Sequence, residues 1–92
     1  MNYLVTYDIS DDKKRTKLST ILDEYGNRVN FSVYECTLTK REHNILQEKI
    51  KSLEILNKFD SIRFYHICKN CIDKSFELGN IDEPFAPKEL FI

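Results

Sequence analysis

The sequence predicts an α+β fold, a ferredoxin-like β-α-β-β-α-β sandwich with an additional short C-terminal strand, assembled as a homodimer. Three observations carry this. Short runs rich in β-branched and aromatic residues alternate with two stretches whose apolar residues recur at helical spacing. Each helical stretch opens on residue types that cap helices. The 92 residues form one small domain, 1–92, with no internal repeat or low-complexity segment. A domain of this size buries only about two thirds of its unfolded-chain surface, so a partner subunit would help it.

Tyr3 to Ile9 is too short for a helix and rich in strand formers, so it reads as the first strand. Ser10, Asp11 and Asp12 follow as N-cap residue types. Leu18, Ile21, Leu22 and Tyr25 then mark one face of a helix, with Gly26 placed for a left-handed C-terminal cap. Val29, Phe31 and Val33 alternate, but the apolar positions then shift to Tyr34, Cys36 and Leu38. That change of parity predicts a bulge, a sharp bend or two short strands. Thr39 and Glu42 have capping-box spacing at the start of a second helix, whose apolar face is Ile45, Leu46, Ile50 and Leu53, with Asn57 as its stop.

Asp60 to Ile67 reads as another strand, residues 68–74 as a turn or short helix, and Ser75 to Leu78 as a short strand ending at Gly79. Leu90, Phe91 and Ile92 are apolar where free termini are usually polar, so the tail, 77–92, is expected to dock as an edge strand. Two helices would cover one face of the sheet. Tyr3, Val5 and Tyr7 suggest that the other face is partly apolar, and a second copy packed face to face would cover it.

Composition excludes several functions. With Gly26 and Gly79 as the only glycines, neither a dinucleotide-binding fingerprint nor a phosphate-cradling P-loop can be written. No run of about 18 apolar residues exists, so no membrane partner is expected, and without a targeting segment the expected location is the cytoplasm. The net charge of −1 argues against a simple basic nucleic-acid binder. Its distribution does not. Residues 77–92 hold Glu77, Asp82, Glu83 and Glu89 against Lys88, whereas residues 1–76 carry thirteen cations and eleven carboxylates. An acidic tail masks a mildly basic body.

Asp8 stands out chemically. It ends an apolar strand just before a loop entering a helix, where ligands commonly sit in α/β folds. It reads either as a surface carboxylate capping a turn or as a metal ligand or general base. One carboxylate cannot hold Mg²⁺ or Ca²⁺ alone, but a two-fold axis beside it would supply two. Lys13, Lys14, Arg15 and Lys17 crowd the first helical turns, and Arg28 flanks the second strand. They read as a solvated face or as phosphate ligands.

Cys68 and Cys71 form a lone C-x-x-C without the second pair that a zinc site needs, so with Cys36 they are expected to be reduced thiols packed as small hydrophobes. His43 is expected on a helix surface, and His66 as a structural histidine within a strand.

Taken in order, YDISDDKKRTKLSTILDEYG, RVNFSVYEC and RFYHICKNC followed by FELG resemble the small CRISPR-associated adaptation endonuclease family (Cas-two, the CRISPR-associated endoribonucleases). Tyr7-Asp8, Arg15, Arg28-Val29, Ser32-Val33 and Tyr34-Glu35 occupy the family's motif positions. Asn30 stands where glutamine is usual, Tyr34 where phenylalanine is usual, and His66 where proline is common. The resemblance implies a homodimer in which two copies of Asp8 share one Mg²⁺ ion across the interface. It further implies cleavage of single-stranded RNA or double-stranded DNA, contact of Arg15 and Arg28 with the nucleic-acid backbone, and partnership with the CRISPR spacer integrase through the tail after Gly79; Lys13, Lys14 and Lys17 remain candidate nucleic-acid ligands from their position at the start of the helix. The competing readings are a non-catalytic DNA-binding adaptor bridging integrase dimers and, more remotely, a small-molecule-sensing domain of the same fold.

Overall fold

The computed structural model describes residues 1–54, 56–79 and 83–86. Its elements run β1 (Asn2–Asp8), α1 (Asp12–Leu22), β2 (Gly26–Asn30), β3 (Val33–Thr37), α2 (Lys40–Ser52), β4 (Ser61–Ile67) and α3 (Lys69–Asp73). The sheet order is β2-β3-β1-β4, and every neighbouring pair is antiparallel. This is the ferredoxin-like arrangement. The parity change resolves as two short strands, with a register shift between Arg28 and Asn30.

Strand alternation decides what each face carries. Tyr3, Val5 and Tyr7 of β1 point to the same side as Tyr34 and Cys36 of β3 and are buried there. Leu18 and Leu22 of α1 and Leu46 and Ile50 of α2 close over them in one core. Full burial of each leucine contributes roughly 1.5–3 kcal/mol. Tyr3, Val5 and Tyr7 therefore face the helices, which corrects the expectation that they help make the other face apolar. That face carries Leu4, Thr6 and Asp8 of β1, with Val33 and Glu35 of β3 and Arg63 and Tyr65 of β4 opposite them.

The helix starts follow their capping residues. Asp11 caps α1 by accepting the Lys14 backbone N–H at 2.9 Å. Thr39 and Glu42 complete a reciprocal capping box on α2, at 3.1 and 2.9 Å. The ends follow different rules. Helix α2 stops at Ser52, with Glu54 rather than Asn57 turning the chain in the left-handed region at φ 50°. Gly26 is not a left-handed cap: α1 ends at Leu22 with Asp23 as its cap, and Gly26 opens β2. Its missing side chain serves close approach instead, because a Cβ there would collide with the Glu35 carbonyl and lie 2.6 Å from Cys36 Sγ.

His43 also departs from expectation. It is half-buried, stacked on Tyr3 at 4.3 Å between ring centres and edge-on to Phe64. Its position on α2 faces the β1–β4 side of the core rather than open solvent. His66 also stacks on Tyr3, at 5.1 Å. Ser75 to Leu78 form no strand, since nothing in the four-stranded sheet pairs with them. The edge-strand expectation for the tail otherwise falls on residues 80–82 and 87–92, which lie outside the described residues; Glu83 to Ala86 are not strand, and the Phe85 backbone N–H donates to Glu35 Oε1 at 2.8 Å.

Gly26→Ala should destabilise the fold by about 1–3 kcal/mol, because backbone and a buried sulfur must both move. Urea unfolding measures it, and an unchanged midpoint would show that β2 and β3 separate freely.

Candidate functional site

Asp8 is the last residue of β1, opposite Ser61 of β4. Tyr7 before it turns inward, so Asp8 turns outward and is exposed. Among the described residues, no hydrogen bond or ion pair engages its carboxylate, and no three His, Cys, Asp or Glu side chains gather into a metal-holding group.

The loop that follows is tightly tied. Ser10 donates to Asp60 Oδ1 through its backbone N–H at 3.3 Å and its hydroxyl at 3.5 Å, while the Asn57 N–H donates to Asp60 Oδ2 at 3.0 Å. The Asn57 N–H, with smaller help from Ser10, holds the Asp60 carboxyl below its ordinary range. From the other side Arg15 reaches back along α1: Nη1 donates to the Ile9 carbonyl at 2.8 Å, and Nη2 pairs with Asp12. Asp60 and Arg15 thus brace the turn behind Asp8. Sequence reasoning assigned no role to Asp60: one partner, Asn57, is three residues away, but the one that ties it to the turn after β1, Ser10, is fifty positions away.

The four cations of α1 do not form one patch. Lys13 and Lys17 are exposed, whereas Lys14 is half-buried with Nζ donating to Asn57 Oδ1 at 3.3 Å. Arg15 instead shares a depression of about 250 Å³ with Arg28, lined also by Tyr7, Thr16, Ser19, Phe31 and Ser32. Phe31 projects from the β2–β3 turn and is 87% exposed. Two guanidinium groups beside hydroxyls form a surface suited to an anion.

Cross-strand pairing explains the orientation of Arg28. It stands opposite Tyr34, so both side chains leave the sheet on the helix side. Arg28 Nε donates to the Tyr34 hydroxyl at 3.1 Å, and its guanidinium lies 5.4 Å from the ring centre. The hydroxyl in turn donates to Asp23 Oδ1 at 2.6 Å. Burial, reinforced by the Asp23 bond, pushes the Tyr34 hydroxyl up to about 12, and the Tyr34 bond holds Arg28 more firmly protonated than usual. In the sequence Tyr34 looks like one more apolar strand residue. Its hydroxyl finds Asp23 and Arg28 only when α1 lies across the sheet.

This chain's order of elements and motifs has counterparts. The family profile described as "CRISPR associated protein Cas2" matches residues 1–75. The chain belongs to the Cas2 family. That span contains every helix and strand among the described residues and all of Asp8, Lys13, Lys14, Arg15, Lys17 and Arg28. A protein named CRISPR-associated endoribonuclease Cas2 3 from Synechocystis is 44% identical over 63 residues, covering 68% of this chain and 67% of its own length. The crystal structure of Streptococcus pyogenes Cas2 at pH 6.5 matches with a TM-score of 0.72 and 34% identity, covering 86% of this chain and 100% of its own. A chain of a partial Cas6-RT-Cas1–Cas2 complex matches with a TM-score of 0.71 and 35% identity, over 99% of this chain and 96% of its own. No helix among the described residues is long and apolar enough to cross a membrane.

The relay at Tyr34 has a readout at high pH. An unfolded tyrosine ionises near 10, whereas folded Tyr34 keeps its proton until about 12. The stability it contributes is complete below the unfolded value and is lost as pH rises through the folded one. Relative to Tyr34→Phe, the wild-type chain should lose stability as pH climbs from 10 toward 12. Chemical denaturation of both proteins checks this, and parallel profiles would rule out the relay.

Proposed function

We propose that the chain is a homodimeric, metal-dependent phosphodiesterase of CRISPR adaptation that cleaves single-stranded RNA, double-stranded DNA or both, with Asp8 from each of two copies sharing one Mg²⁺ ion. The carrying observation is Asp8 itself, an exposed, unengaged carboxylate held at the end of a central strand by a braced turn. Its oxygen donors suit a hard cation, and a second copy of Asp8 is the economical way to add protein oxygens to a site that one chain leaves incomplete. The half-buried Leu4 and Val33 on the sheet's open face support a second copy there. When bound, such an ion supplies polarisation of the phosphate and acidifies the attacking water. The chain's own residues orient the carboxylate and offer guanidinium groups to the nucleic-acid backbone. The endoribonuclease activity named for the Synechocystis relative supports this reading.

A second reading is favoured by the relative found in a complex containing Cas1 and by the Arg15–Arg28 depression. Here the chain is a DNA-binding adaptor between subunits of the spacer integrase, and cleavage is dispensable. Lys13 and Lys17, exposed on the outer face of α1, would add backbone contacts in either reading.

Asp8→Asn should abolish Mg²⁺-dependent cleavage in a purified sample while circular dichroism and sedimentation stay unchanged; full activity in that variant would remove Asp8 from catalysis. The adaptor reading is separable by salt. Arg28→Ala should weaken duplex binding and reduce the slope of log affinity against log salt by about 1, whereas Asp8→Asn should leave that slope intact. An unchanged slope in Arg28→Ala would mean that Arg28 touches no phosphate.

A further inference from the structure

Cys68 and Cys71 take no part in the site above, and the structure overturns the expectation that they pack as small hydrophobes. Both are exposed, and only Cys36 is buried in the core. Cys68 immediately precedes α3 and Cys71 lies within it, so one turn brings their sulfurs to 3.3 Å, joined by a hydrogen bond. Packing therefore does not account for them. A closed zinc site needs four ligands, and no third His, Cys, Asp or Glu joins the pair among the described residues. A structural staple does not account for them either, because a bond spanning two intervening residues restrains little chain entropy. What this arrangement serves well is exchange: two accessible thiols within reach of one another, one able to attack and the other to resolve.

We propose that Cys68 and Cys71 form a redox-active dithiol that exchanges with low-molecular-weight disulfides of the glutathione type, with Cys68 attacking and Cys71 resolving. The Cys68 thiolate attacks one sulfur of the disulfide RSSR, forming Cys68–S–SR and releasing RS⁻. Cys71 then attacks Cys68 Sγ, its proton passing to solvent, and the second RS⁻ leaves. The two cysteines lose two electrons, and RSSR gains them as two thiols. The order follows from the local bonds. The Cys71 thiol, then the Cys71 backbone N–H, lower the Cys68 pKa, while the bond to Cys68 raises that of Cys71. Ser75 Oγ donates to the Cys71 carbonyl at 2.7 Å, so the exchange occurs in the turn that directs the chain toward its acidic tail.

The test equilibrates the full chain in buffers of reduced and oxidised glutathione, followed by intact mass and peptide mapping. The expected product lacks two hydrogens, maps to Cys68–Cys71 and reverts with dithiothreitol. Cys71→Ser should accumulate a glutathione adduct at Cys68. At neutral pH, iodoacetamide should label Cys68 several-fold faster than Cys71. Equal labelling rates, two stable adducts without an internal bond, or thiols that react only after a chelator is added would each overturn the proposal. The wild-type mapping stands by itself even if a variant misfolds.

Discussion

The placement of β1 between β3 and β4 is the constraint on which the rest depends. A central strand is paired along both edges, and its side chains alternate strictly between the two faces. Once Tyr3, Val5 and Tyr7 are committed to the core, Leu4, Thr6 and Asp8 have only the other face. A slip of one residue would bury a carboxylate and expose two tyrosines, which the free energy of burying a charge forbids. The outward aim of Asp8 is therefore a by-product of core formation. Its accessibility is maintained by the same contacts that keep the protein folded.

Around that strand, charge is used locally rather than as a broad field. Arg15 and Asp60 grip the turn after β1 from opposite sides, and Arg28 lies over Tyr34 with its Nε engaged. These are exposed or half-buried groups, each worth little alone in water. Their value is geometric. A guanidinium whose position is already fixed gives up less conformational freedom when an anion arrives. Lys13 and Lys17, untethered on the outer surface, can add attraction but little orientation.

Much of the fold was legible because local chemistry determines it. The strand-forming composition of β1, the Leu18, Ile21 and Leu22 stripe of α1 and the Thr39–Glu42 box act within a few residues, and each forms the element it predicts, although Tyr25, the fourth residue of the stripe, lies past the end of α1. Several of the departures come from contacts between distant segments. Gly26 reads as a helix cap, but what it accommodates is the β3 backbone and Cys36 Sγ across the sheet. Asn57 reads as a helix stop, but its backbone N–H serves Asp60 three residues on. His43 reads as a helix-surface residue, but it stacks on Tyr3 from forty positions away. Ser75 to Leu78 have strand-like composition, yet a strand exists only with an edge to pair with. Cys68 and Cys71 have the composition of core residues and the position of surface ones.

The sequence by itself determined the order of elements, the family motifs and the single carboxylate at the end of the first strand, because periodicity and capping act over a few residues. Only the tertiary structure decided which face that carboxylate joins, which cations stand together, and which hydroxyl links Arg28 to Asp23. Those outcomes depend on strand register and on helices laid across the sheet, and register is a property of distant segments meeting. Arg15 and Arg28 are thirteen positions apart in the chain, and a shared depression between helix and hairpin makes them neighbours.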